Sequence, residues 1–71
     1  MSNRANAVTD LLTDRELEVF TLIGRGAGIS ETASELGVSV KTVETHQMHI
    51  KQKLNLGSAF ELRKYATRLI S

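Results

Sequence analysis

The 71 residues include no cysteine, no proline and no tryptophan. Without cysteine there can be no disulfide, thiolate metal site or cysteine nucleophile, and nothing suggests a secreted, bridge-held scaffold. A cytoplasmic location is the expectation. One Tyr and two Phe leave the core to Leu, Ile, Val and Ala. They give little material for an aromatic-lined pocket, so neither a cofactor nor a small-molecule ligand is expected. Apolar runs such as Val19-Phe20 and Leu69-Ile70 fall far short of the roughly 20 residues that cross a bilayer. The first residues carry no signal-peptide pattern, so no membrane association is expected. At this length the chain is one small domain, near the lower limit for folding without a staple.

What is present is a charge dipole. Residues 1–38 carry three Arg against six acids, a net of −3, whereas residues 39–71 carry six Lys and Arg against two acids, a net of +4. A protein that grips a polyanion needs its positive groups on one surface rather than a large total, because affinity comes from the phosphates it neutralises.

Glycines and caps divide the sequence into helical segments. Residues 1–11 have no sustained period and read as a flexible N-terminal tail, with Leu11-Leu12 tucking against the body. Thr13 and Glu16 form a capping box, which predicts a helix from Asp14 to Gly24 or Arg25 with Val19, Phe20 and Ile23 inward. Ser30 suits the cap of a short second helix to Leu36. Gly37 suits the left-handed position that follows, and Ser39 caps the next helix. That third helix, Val40 to about Leu54, places Val43, Gln47, Ile50 and Leu54 within about 60° of one another. Its other side carries Lys41, Thr45, Met48 and Gln52. Ser58 and Glu61 form a second capping box, which opens a fourth helix over about 59–69 with Leu62, Tyr65, Ala66 and Leu69 inward. Phe60 falls on the outer side of that helix.

The second and third segments have the spacing of a helix-turn-helix unit over about 30–54. Small Ala33 permits a close helix crossing, Gly37 makes the turn and Val43 fills the angle. The residues that carry chemistry are therefore sought on the outward side of the third helix.

The stretch Leu12-Thr13-x-Arg15-Glu16, Val19-Phe20-x-x-Ile23, Gly26 and Glu31-x-Ala33-x-x-Leu36-Gly37 is followed by a longer run. That run is Val38-Ser39-x-x-Thr42-Val43-x-x-His46-x-x-x-Ile50-x-x-Lys53-Leu54. From Leu12 to about Leu69 the chain resembles the DNA-binding domain of the LuxR/FixJ-type (GerE-like) regulators of bacterial transcription. The resemblance implies an all-α, four-helix helix-turn-helix domain over 12–71, whose third helix enters the major groove of double-stranded DNA. It also implies a homodimer on DNA through the fourth helix and contact with RNA polymerase. Both a freestanding regulator and the output domain of a response regulator are compatible with it.

Carried over residue by residue, the resemblance implies base contacts at Glu44, Thr45 and Met48. Glu44 can accept from cytosine N4, while Thr45 and Met48 can meet thymine methyls. Backbone contacts are expected from Ser39, Lys41, Thr42, His46, His49, Lys51 and Lys53, and dimer contacts from Phe60, Tyr65 and Ile70. The sequence departs from the family at Gly24, Gly28, Ile29 and Thr32, which predicts a less stable scaffold. Many relatives also place a basic residue where Glu44 or Gln47 stands, which implies a weaker grip by a monomer.

Other chemistries fit poorly. His46 and His49 are three residues apart, but no third metal ligand converges on them. Glu44 and His46 point about 160° apart on the helix and so make no acid/base pair. Arg15 and Glu16 are expected to brace the fold through local bonds. Neither a metal nor an enzymatic activity is expected. The competing reading is a protein-interaction module that retains the helix-turn-helix scaffold and turns its outer face to another protein.

Overall fold

The four predicted helices are present in the computed structural model, which describes residues 4–70, and a further helix precedes them. The elements are α1 (Arg4–Leu11), α2 (Asp14–Gly24), α3 (Ile29–Leu36), α4 (Val40–Lys53) and α5 (Ala59–Ile70). Residues 1–3 of the expected tail lie outside the described residues, as does residue 71. Residues 4–11 differ from expectation by forming a helix. Val8 from α1 is buried, as is Leu12 after it, whose N–H donates to the Val8 carbonyl at 3.1 Å. Two apolar residues, Val8 and Leu12, dock this segment. That is too few to leave a helical period in the sequence.

Local chemistry sets the other boundaries. The Thr13 hydroxyl accepts from the Glu16 N–H at 3.1 Å, and the Glu16 carboxylate accepts from the Thr13 N–H at 3.0 Å, closing the predicted capping box of α2. The cap of α3 is Gly28 rather than Ser30. Glu31 explains the shift, because its carboxylate accepts from the Gly28 N–H at 2.9 Å while Ile29 packs against the core, which starts the helix before Ser30. Gly37 ends α3 at φ 69°, a left-handed conformation that disfavours a side chain, and Ser39 caps α4 by accepting from the Thr42 N–H at 3.0 Å. Before α5, Ser58 accepts from the Glu61 N–H, but the Glu61 carboxylate takes the Gly57 N–H.

The core gathers Val19, Phe20 and Ile23 from α2, Ala33 from α3, Val43 and Ile50 from α4, and Leu62 and Ala66 from α5. Burying one large aliphatic or aromatic side chain is worth about 1.5–3 kcal/mol, so these few residues carry most of the stability of so short a chain. Phe20 also meets the Tyr65 ring edge-on, with centroids 6.1 Å apart. Thr32, expected to weaken the core, is fully buried with its hydroxyl donating to the Gly28 carbonyl at 2.8 Å. Helix α2 is the hub, packing against α3, α4 and α5.

Gly24 has a role that composition did not suggest. A Cβ placed there would lie 2.7 Å from the Ala66 carbonyl oxygen and 2.5 Å from Ile70 Cγ1, so α5 crosses α2 at a distance only glycine permits. Alanine gains helix propensity, at most about 1 kcal/mol and less at a helix end. Overpacking costs about 1–3 kcal/mol. Gly24→Ala should therefore lower the unfolding free energy by about 1 kcal/mol, seen as a lower urea midpoint, and an unchanged or higher midpoint would show that α5 yields without cost.

Candidate nucleic-acid interface

Helix α4 is divided lengthwise. Val43, Gln47 and Ile50 are buried, while Lys41, Glu44, Thr45, Met48 and Gln52 are exposed. The outer stripe follows from the three-to-four-residue helical repeat, and its members stand one above another along about 16 Å of helix. Met48 is 47% exposed, a large apolar side chain held in solvent. The Thr45 hydroxyl donates back to the Lys41 carbonyl at 3.1 Å, which uses its proton and leaves its methyl and the oxygen lone pairs available to a partner. Lys41 and the half-buried Lys51 have no ion-pair partner among the described residues.

The far end of α4 is tied down by a carboxylate from another helix. Glu16, buried at the start of α2, accepts from Lys53 Nζ at 2.6 Å through the same oxygen that caps Thr13. Its second oxygen lies 3.8 Å from His49 Nδ1. Burial pushes the Glu16 carboxyl up, but the hydrogen bonds from Lys53 and Thr13 together with the ammonium charge outweigh it. The carboxyl is held below its ordinary value of 4.5. Beyond the local role expected of Glu16, its carboxylate meets Lys53 and His49 across 33 to 37 positions of sequence. The available signal was an acid on the inward side of an amphipathic helix, since a buried carboxylate demands a cation.

The other expected residues are distributed as follows. Ser39 and Thr42 share a hydroxyl-to-hydroxyl hydrogen bond of 2.9 Å at the start of α4, and His46 is half-buried beside the seam. On α5, Phe60 is 73% exposed, whereas Tyr65 is half-buried against Phe20 and Ile70 lies over Gly24. The three thus differ in exposure. Arg63 reaches back to the Ala27 carbonyl at 3.4 Å. Among the described residues no three His, Asp or Glu side chains converge as metal ligands, and no helix is long and apolar enough to cross a membrane.

Replacing Glu16 tests this arrangement. Glu16→Gln keeps the size but removes the charge facing Lys53, and should cost about 1–3 kcal/mol in denaturant unfolding at neutral pH. A carboxyl whose folded pKa is depressed contributes stability above its unfolded value and loses it as pH falls through the folded one. The wild-type chain should therefore lose stability below about pH 4.5 more steeply than Glu16→Gln. Parallel pH profiles would show that Lys53 does not stabilise the charged form.

Residues 10–66 match the family described as bacterial regulatory proteins, luxR family (GerE). The chain is similar to the oxygen regulatory protein NreC of Staphylococcus carnosus, with 51% identity over 67 residues covering 94% of this chain and 31% of that protein. It is 52% identical over 58 residues to NreC of Staphylococcus epidermidis, covering 82% of this chain and 27% of that protein. The chain thus spans less than a third of the length of these curated relatives. Among solved structures none matches. GerE domains are DNA-binding regulators and not enzymes. The shared sequence and the α3–Gly37–α4 geometry agree, and the chain belongs to the luxR family of bacterial regulatory proteins as a helix-turn-helix DNA-binding domain.

Proposed function

We propose that this domain reads a specific double-stranded DNA sequence by laying α4 in the major groove, and that two copies paired through α5 bind a two-fold-related site. The observation that carries this reading is the division of α4. One side is locked in the core by Val43, Gln47 and Ile50, and the other presents Lys41, Glu44, Thr45 and Met48 to solvent. A helix of about 10–12 Å diameter fits the roughly 12 Å major groove.

In that position Glu44 accepts a hydrogen bond from cytosine N4 and is repelled by phosphates, which favours base reading over unselective grip. The Thr45 and Met48 side chains offer apolar contact to thymine methyls. Lys41 and Lys51 supply the positive charge for phosphates, assisted by the first-turn amides of α4 beside Ser39 and Thr42. Lys53 and His49, facing Glu16, hold the helix in place and add less to the phosphate grip than free cations would. His46 stays at the backbone edge. Phe60, with Ile70 and the exposed part of Tyr65, supplies the apolar contact between copies, setting half-sites one DNA turn of about 34–36 Å apart. RNA polymerase is the further partner for a regulator bound in this way. The likeness to proteins named as oxygen regulators makes promoters switched by oxygen supply the first targets to test.

Selection from a randomised duplex pool, followed by binding across a salt series, tests the reading. A two-fold-related motif should be enriched. Met48→Ala and Thr45→Ala should each reduce the preference for that motif over random duplex by about fivefold or more. Lys41→Ala should instead weaken all sequences alike and lower the salt slope by about one. An unchanged preference in both α4 variants would remove the base-contact assignment. No binding by a folded sample would favour the protein-interaction reading.

A further inference from the structure

A second feature lies away from the DNA-reading stripe. Helices α2 and α3 enclose an open groove of about 520 Å³, and no residue of α4 lines it. Its floor is apolar, made by half-buried Leu17, Leu22 and Leu36. Its rim carries Asp14, Glu18 and Glu35, all exposed, against the single cation Arg25. Glu18 pairs with Arg15 at 3.1 Å, but both side chains are about half exposed and such a pair is weak and screened. Asp14 and Glu35 have no ion-pair partner among the described residues.

We infer that this groove is a docking site for a basic amphipathic helix of a partner protein. The sign of the rim excludes nucleic acid and anionic ligands, which the same charges would repel. It also opposes a symmetric contact between two such grooves, since a two-fold axis would set acid against acid. The basic face of α5 in a second copy has the right sign, but joining it to this groove makes a head-to-tail contact that two copies do not close. Three acids against one cation on the rim steer a basic segment into register while its apolar side chains seat on the leucine floor. The groove runs along α2 from Asp14 to Arg25, about 16 Å, which accommodates about three turns of an incoming helix. The inference does not depend on which sequence α4 reads.

The probe is a synthetic 14-residue amphipathic helix with leucines at positions three and four apart, flanked by Lys and Arg. Its twin keeps the leucines and replaces every base by Glu. Titrated into the isotopically labelled chain and followed by amide NMR shifts, the basic peptide should perturb residues 14–25 and 33–37 and leave the outer stripe of α4 unmoved. The double variant Asp14→Asn with Glu35→Gln should bind it at least fivefold more weakly with the spectrum otherwise unchanged. Asp10→Asn, which removes an acid outside the groove, should bind it as the wild-type chain does. The inference is overturned if the acidic twin binds equally well, if the shifts map elsewhere or do not occur, or if the double variant binds like wild type. Concentration-dependent shifts linking the groove to α5 without peptide would likewise overturn it, by making a second copy the occupant.

Discussion

One carboxylate joins the two ends of the domain's construction. Glu16 closes the cap that starts α2 and, with the same oxygen, holds Lys53 at the last turn of α4. Burying that charge would be costly if it were unpaired, so the ammonium and the Thr13 N–H must be present whenever α2 and α4 are packed. The apolar seam of Val43, Gln47 and Ile50 fixes which side of α4 faces inward. Val43 and Ile50 are fully buried and lock α4 against the core, and the Glu16–Lys53 bond adds a directional contact between the start of α2 and the last turn of α4.

The same arrangement divides the cations of α4 between paired and unpaired groups. With Lys53 matched internally and His49 beside the same carboxylate, the unpaired cations of α4 are Lys41 and Lys51. A modest unscreened charge suits selective binding, because the electrostatic part of affinity is the part that every sequence shares. Acidic groups collect instead along α2 and α3, which separates the two signs across the domain. The dipole visible in the sequence thus lies between α2 and α3 on one hand and α4 and α5 on the other.

Local features were the most legible. The Thr13–Glu16 box, the Ser39 cap, Gly37 and the alternation along α4 each depend on residues within a turn or two, and each stands where the sequence placed it. Helix α1 leaves little periodic signal in the sequence, and at Ser30 the hydroxyl is the stronger local signal for a cap. At Gly28 the deciding group was the Glu31 carboxylate three residues on. Tertiary contacts were the least legible. Gly24 reads as lost helix propensity until Ala66 and Ile70 are seen against it, and the pairing of Lys53 with Glu16 leaves no local mark in the sequence. For the site, the sequence identified which helix turns a mixed polar face outward, while the division of its cations between structural and free roles required the fold.

The central claim is that the outer stripe of α4, held by α2, is the surface that meets base edges. Its most direct test is an NMR complex of the labelled domain with its selected duplex, recording intermolecular contacts from the Met48 and Thr45 methyl groups. Contacts to thymine methyls or neighbouring base protons, with the α4 amides shifted on binding, are the predicted result. Shifts confined to α5 or to the α2–α3 groove, with both methyls silent toward the bases, would contradict it.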